Sequence, residues 1–505
     1  MSTDLRSKTV KAVGHLGLGG ALGKVISLGA TLVMARLLTP ADYGLMAMAM
    51  VLVGFVSFFN EIGIGAAIVQ KTELKEEEVN GCFVFSILSS LVLAALTALC
   101  SGVAASFFGN ARLQPMIAVL AIAFVFGALG TVPLAFLRKE MNFKAVAGVN
   151  VVSVFVQSLL SLALAFAGFG AWALVWSFIA SSIVQSVGAF WLASWRPSRN
   201  FSLRAALGLV NYGLQVTASR VFWYLYSNAD KVIIGKVLGD RSLGIYDMAF
   251  SLATLPSSQV TTLATNVASP LFSKLQKDLA QLRSFILHFT RGVAYVTYPA
   301  LIGMLVCSRE LVAVLLGDKW IAMLVPFSAL CVMGLIKSVD PLLSQVLIAT
   351  GNAKRLSGYT LMCGVAMSAS VVGGALLDGL RGVSLVWMVV YPLLSVRLLF
   401  LVRRSTGLKM MDYYRTLLPV LVAAGAMAAA VLVVREAMLL AGVPVFAVLA
   451  GEVATGAIAY VLWIVQFDKR GLSEIRQVML DLGISEQRLA RWPFNRALSV
   501  QGSQP

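Results

Sequence analysis

The chain has 505 residues, 59% of them hydrophobic and only 12% charged, with a formal net charge of +17. A mean hydropathy of +0.86 excludes a soluble globular protein, in which about 25% of residues are charged, and marks a polytopic membrane protein. Cys82, Cys100, Cys307, Cys331 and Cys363 lie in or at the ends of apolar stretches without any Cys-x-x-Cys, which points to packing rather than to a disulfide framework or a thiolate metal site.

Apolar stretches of roughly 20 residues, enough to cross a hydrocarbon core of about 30 Å, recur along the chain. They fall at 14–38, 43–69, 80–108, 115–137, 146–167, 170–194, 206–238, 244–270, 288–308, 325–350, 356–377, 382–402, 414–434 and 443–467, which predicts an all-α protein of fourteen transmembrane helices. The first follows Arg6, Lys8 and Lys11, as a signal peptide would. It is too long and lacks a small-residue cleavage site, so it reads as an uncleaved helix. Its "GHLGLGGALGKVIS" (14–27) is no phosphate loop. A Walker loop needs Gly, four residues, then Gly-Lys-Ser/Thr, whereas Leu18 stands at the first glycine position and Val25 follows Lys24. Gly19, Gly23, Ser27 and Thr31 recur every four residues, a small-residue stripe that lets a neighbouring helix approach closely.

With the N-terminus in the cytoplasm, 27 of the 40 Lys and Arg residues fall in cytoplasmic segments and six on the other side. That bias is the positive-inside rule; it puts both termini in the cytoplasm and requires an even number of spans. It also accounts for the net charge, so no nucleic-acid partner is invoked.

Charges inside the spans carry the functional reading, because an ion in hydrocarbon is expensive and marks a site. Lys24 precedes Arg36 by 12 residues, about 18 Å of helix rise, and so lies near mid-membrane. Arg220 precedes Lys236 by 16 residues, about 24 Å, and is deep as well. Lys337 and Asp340 share a helix face at i, i+3, where they can also neutralise one another. Asp230 and Lys231 are adjacent and point apart, so Asp230 needs a partner on another helix or a wet cavity. Glu61, near the cytoplasmic end of the second helix, fits a gate ion pair or a solvated interface residue equally. Lys24, Arg220 and Lys337 are therefore candidates to bind an anionic group, and Asp230, Asp340 and Glu61 candidates for coupling or gating. Arg36, Lys236 and Arg397 sit close enough to span ends to snorkel to the interface. The two histidines, His15 and His288, lack metal-ligand spacing. No catalytic constellation, cofactor motif or metal site emerges.

The chain repeats itself. "MARLLTPADYGLMAMAM" (34–50) aligns with "IGKVLGDRSLGIYDMAF" (234–250) at a shift of 200, matching Leu38/Leu238, Gly44/Gly244, Met48/Met248 and Ala49/Ala249, with Arg36 against Lys236. A second echo, "SFFGNARL" (106–113) with "LLGDKW" (315–320), sets Gly109 against Gly317. The expected organisation is a cytoplasmic N-terminus (1–13), a six-helix bundle (14–194), a cytoplasmic linker (195–205), a second bundle in the same orientation (206–402), two further helices (403–467) and a cytoplasmic tail (468–505). Parallel repeats of this kind suit alternating access around a midplane cavity. In the tail, Leu472, Ile475, Val478 and Leu482 fall at helical spacing and predict a short amphipathic surface helix.

"ARLLTPADYGLMAMAMVLVGFVSFFNEIGIGAAIVQK" (35–71) resembles the N-terminal signature of bacterial lipid-linked oligosaccharide flippases of the colanic-acid and teichuronic-acid exporter type. "NADKVIIGKVLGDRSLGIYDMAFSLATLP" (228–256), "SPLFSKLQKD" (269–278) and "LLGDKW" (315–320) are similar to later segments of that family, and the resemblance spans residues 10 to 467. It implies a V-shaped transporter of the multidrug/oligosaccharidyl-lipid/polysaccharide exporter superfamily in the bacterial inner membrane. Such a protein translocates undecaprenyl-diphosphate-linked oligosaccharide repeat units for exopolysaccharide or lipopolysaccharide biosynthesis; the glycan itself does not carry over. On that reading the diphosphate enters between the bundles from the cytoplasm, met by Lys24, Arg220 and Lys337, while the polyprenyl tail stays in membrane lipid. Without a nucleotide motif, the drive is a proton or sodium gradient, the membrane potential, or consumption of the glycan outside by polysaccharide polymerase machinery. An ion-coupled drug or cation antiporter on the same fold is the alternative, but cationic drugs want carboxylates and a diphosphate wants Lys and Arg. A polytopic glycan polymerase or ligase would need an ordered extramembrane site that these short loops do not provide.

Overall fold

The computed structural model describes residues 20, 22–61, 64–71 and 73–468, without the side chains of residues 60, 61, 205, 207 and 209–223. The expected tail helix therefore lies outside the described residues. Helices and turns make up the described chain, with no strand among these residues. Among the described residues ten helices are long and apolar enough to cross a membrane, and this is a multi-pass all-α membrane protein. Those ten hold eleven of the fourteen cuts made in the sequence, because α13 (Ala353–Thr406) contains two of them on either side of a break at Asp378 and Gly379. The remaining three cuts correspond to α1, helical over 22–37, and to the two halves of α9 (Leu203–Lys274), which breaks at Gly239 with φ 81°. Glycine stands at both breaks because a positive φ costs it nothing.

The chain forms two compact units, Met1–Asp247 and Met248–Pro505. In the first, α1 turns into α2 (Pro40–Glu61) through Thr39, whose amide and hydroxyl both donate to the Asp42 carboxylate at 2.9 and 2.7 Å. Pro40 at the first helical position is pre-set for that start. A short α3 (Ile64–Gln70) follows, then α4 (Glu76–Phe108), whose Glu76, Glu77 and Glu78 complement the positive end of the helix dipole. Gly109, at φ 69°, terminates α4. Next come α5 (Leu113–Leu120), α6 (Ile122–Lys139), α7 (Phe143–Phe166) and α8 (Ala171–Leu192). The connection to α9 is pinned to α4 by Asn80, whose amide donates to Ser198 Oγ at 2.7 Å and to the Asn200 carbonyl at 2.9 Å.

The sequence repeat has a structural counterpart in this unit. A Cβ added to Gly44 would strike the carbonyl of Asp240, and one added to Gly244 would strike the carbonyl of Pro40. Pro40 and Asp240, like Gly44 and Gly244, are 200 residues apart, so the contact is reciprocal, as at a two-fold axis where residue i meets j and j meets i. Of the stripe on α1, Gly19 lies outside the described residues, and a Cβ at Gly23 would meet nothing within 4 Å. Close backbone approach is thus made at Gly44 and Gly244 and not at Gly23 among the described residues.

The second unit contains the rest of α9, then α10 (Leu279–Val306), α11 (Ser308–Leu315), a 3₁₀ turn (Asp318–Met323), α12 (Leu324–Ala349), α13, α14 (Met410–Leu440) and α15 (Val445–Phe467). Gly317, at φ 93°, precedes the 3₁₀ turn. It shares positive φ with Gly109, as the second sequence echo requires. Phe272, Tyr298, Leu342 and Val402 belong to one buried core that joins α9, α10, α12 and α13. The end of α15 is tied to α10: Arg291 donates to both carboxylate oxygens of Asp468 at 3.1 Å, Tyr295 donates a third hydrogen bond to that carboxylate, and the Tyr460 hydroxyl donates to the Tyr295 carbonyl at 2.9 Å.

Candidate functional site

The break at Gly239 folds the first half of α9 back on the second, and that hairpin answers where Asp230 finds its partner. Asp230, only 8% exposed, accepts a hydrogen bond from the Tyr246 hydroxyl at 2.5 Å, while Lys231 forms an ion pair with Asp247 at 2.6 Å. Two neighbouring residues on one strand of the hairpin meet two neighbours on the other, so a carboxylate and an ammonium that point apart are each served. The first half of α9 also holds α2, for the Tyr224 hydroxyl donates to the carbonyls of Met50 and Val51 at 3.1 and 3.0 Å. Lys236 donates to the Phe107 carbonyl at the end of α4, with its ammonium 5.0 Å from the Phe107 ring. That use of a lysine, capping orphan carbonyls at a helix C-terminus, is more specific than snorkelling.

Of the anion-binding candidates in this unit, Lys24 is exposed on α1 and forms no ion pair among the described residues. The side chains of Arg220 and Glu61 lie outside the described residues.

In the second unit Lys337 and Asp340 sit on α12 one turn apart, yet each has different company. The Lys337 ammonium stands 4.8 Å from the Phe250 ring and 5.5 Å from the Trp387 ring. Asp340, 6% exposed, accepts from Ser395 Oγ at 2.7 Å and from the Tyr391 hydroxyl at 3.2 Å. Trp387 and Tyr391 touch, with centroids 5.7 Å apart, and both belong to the second half of α13. Pro341 lies inside α12; lacking an N–H, it does not supply the ladder donor for the Lys337 carbonyl. Below it, Thr261 donates to the Ser338 carbonyl at 2.7 Å and Thr297 to Ser338 Oγ at 3.1 Å. The ring faces attract the ammonium through their quadrupoles. Asp340 is held by hydroxyl donors and also feels the charge of Lys337 one turn away.

A third charged group, unmarked by any sequence motif, joins α11, α14 and α15. Arg435 Nη2 on α14 bonds Glu310 Oε1 of α11 at 3.0 Å, and its Nε lies 3.9 Å from Oε1 of Glu452 on α15. Glu452 was legible in principle: it is the only acid in the apolar run 443–467, the pattern that flags an intramembrane site. Arg435 and Glu310 are 17 and 142 residues away from it in sequence and lie on other helices.

The family model for "Polysaccharide biosynthesis protein" matches residues 33–325, more than half of the chain. The chain belongs to that family. Among members of the polysaccharide biosynthesis group, the teichuronic acid biosynthesis protein TuaB of Bacillus subtilis is 28% identical over 68% of this chain and 70% of its own length. Lipopolysaccharide biosynthesis protein WzxC of Escherichia coli is 25% identical over 77% of this chain and 79% of its own. The solved structure of the lipid II flippase MurJ in an inward closed conformation shares the fold, with a TM-score of 0.68 at 12% identity over 89% of this chain and 97% of that one.

Proposed function

We propose that this protein is a flippase that carries lipid-linked saccharide intermediates across the bacterial inner membrane for the assembly of a surface polysaccharide. Membership of the polysaccharide biosynthesis family is the observation that carries the reading, and the fold shared with a lipid II flippase supports translocation as the step performed. The cargo is an oligosaccharide on undecaprenyl diphosphate. The two sequence repeats, 14–194 and 206–402, are the alternating halves, and both termini face the cytoplasm by the positive-inside bias.

Lys337 is the diphosphate anchor in the second unit. Phe250 and Trp387 lie against the ammonium, and a lysine at this position can make charge-assisted hydrogen bonds to an anion. Lys24, exposed on α1, supplies a cation in the first unit, joined by Arg220. Asp230 and Asp340 are buried and hydrogen-bonded by Tyr246, Tyr391 and Ser395; they shape and orient the cationic positions and are not open to a cationic drug, which weighs against the antiporter alternative. A proton or sodium gradient, or removal of the product by polysaccharide polymerase machinery, drives the cycle.

Lipid analysis of a deletion strain tests the function. Loss of the protein should cause a diphosphate-linked oligosaccharide to accumulate on the cytoplasmic face with loss of surface polysaccharide. Undiminished polysaccharide with no accumulated intermediate would refute it.

A further inference from the structure

In the second unit, α10, α14 and α15 enclose a cavity of about 350 Å³ lined by Met304, Leu311, Met427 and Val431, with Cys307 and Glu452 at its wall. None of the residues given a transport role above lines it. Glu452 is 0% exposed, and neither of its carboxylate oxygens has an N–H or O–H donor among the described residues; the Cys307 thiol beside it is a weak donor at most. Arg435 gives its Nη2 to Glu310, leaving its Nε without a hydrogen bond at 3.9 Å from Glu452. Glu310 Oε2 is also unpartnered. The polar groups that face Glu452 from the packed elements are Arg435 of α14, Glu310 of α11 and the Cys307 thiol between α10 and α11. Two carboxylates therefore share one guanidinium, the one positive group facing them among the described residues.

An ionised carboxylate without a strong hydrogen-bond donor in an apolar wall is costly, even beside a counter-charge already engaged by a second acid. A metal ion does not repair this. Hard cations want about six to eight oxygen ligands, only two carboxylates are at hand, and the guanidinium repels any cation. A proton repairs it completely: it neutralises the surplus charge and needs no ligand set.

We propose that Glu452 is a proton-binding site. A hydronium ion from the water at the Arg435 end of α14 gives its proton to a Glu452 carboxylate oxygen. One O–H bond forms there, one breaks in the hydronium, water departs, and the cluster of two acids and one arginine becomes neutral. The site goes beyond the transport reading and holds whatever the cargo is.

Infrared difference spectra of the full-length protein tests this. The protein is reconstituted in phosphatidylethanolamine/phosphatidylglycerol vesicles, and wild type minus variant is recorded at neutral pH. Glu452→Gln should remove a deuterium-sensitive carboxylic-acid C=O band. Glu310→Gln should remove the same band, because Arg435 is then released to pair with Glu452 one charge to one and the proton leaves. Arg435→Gln should add carboxylic-acid intensity, since both acids then take protons. A band that survives in full in Glu452→Gln, or in Glu310→Gln, overturns the proposal. If Glu452→Gln fails to assemble as judged by size exclusion, the Glu310→Gln spectrum decides alone.

Discussion

Replacing Gly44 with alanine places a methyl against backbone and nothing else. The added Cβ would lie 2.5 Å from the Asp240 carbonyl carbon and 3.0 Å from its Cα, and at Gly244 the equivalent Cβ would lie 2.8 Å from both the Pro40 carbonyl carbon and the Gly44 nitrogen. Comfortable carbon contacts begin near about 3.5 Å, so the two turns must part by something like 1 Å, and no side chain is present to yield instead. Overpacking of this kind costs ~3 kcal/mol at the upper end of its usual range, from which the better helix propensity of alanine returns about 1 kcal/mol. Gly44→Ala should therefore destabilise by about 2 kcal/mol. Gly23→Ala, on a helix where the Cβ meets nothing within 4 Å, receives the propensity gain alone and is the control. The two alanines should differ by ~3 kcal/mol, more than a hundredfold in the folding equilibrium. Because the two glycines share one crossing, Gly44→Ala combined with Gly244→Ala should cost little more than either alone, a large departure from additivity. The readout is the fraction of full-length detergent-solubilised protein that stays monodisperse through a temperature series. Equal stability of Gly44→Ala and Gly23→Ala, or full additivity of the pair, would refute the reciprocal crossing.

Lys337→Gln should insert normally and abolish polysaccharide export, with Lys337→Arg recovering part of it because charge survives; wild-type export by Lys337→Gln at equal expression removes the diphosphate anchor. Tyr246→Phe takes the hydroxyl donor from buried Asp230 and should cost about 1–3 kcal/mol, most of it recovered in Tyr246→Phe/Asp230→Leu if the loss is the unsatisfied carboxylate; an unchanged melting profile for the single variant contradicts that account. Ala41→Cys and Arg241→Cys, 200 residues apart at the paired turns, should both react with an impermeant thiol reagent from outside the cell. Labelling from opposite faces would break the parallel repeat.

The spans were legible because apolar length is a one-dimensional property, and so were the breaks at Gly239 and Gly379, where glycine interrupts a run beside charge. The short α11 and the 3₁₀ turn at Asp318–Met323 were not, since eight residues of helix in a connection leave no periodic trace. Lys337 and Asp340 were correctly placed on one helix, but their company of Trp387, Tyr391 and Ser395 depends on which face of α13 meets α12, which no local pattern encodes. Tyr246 escaped notice for the same reason: a tyrosine in an apolar helix looks like core until a carboxylate is shown to face it. Glu310, Arg435 and Glu452 come from three helices, and no local pattern brings them together.

The tie between Arg291 and Asp468 joins residues 177 positions apart. During synthesis α10 reaches the membrane long before Asp468 leaves the ribosome, so the threefold hydrogen-bonded carboxylate is a late event of biogenesis. It registers α15 against α10 after the intervening helices have been threaded. A reporter joined beyond Asp468 leaves that closure intact, whereas a chain stopped at Phe467 carries every apolar span yet never receives the carboxylate that locks the last one home.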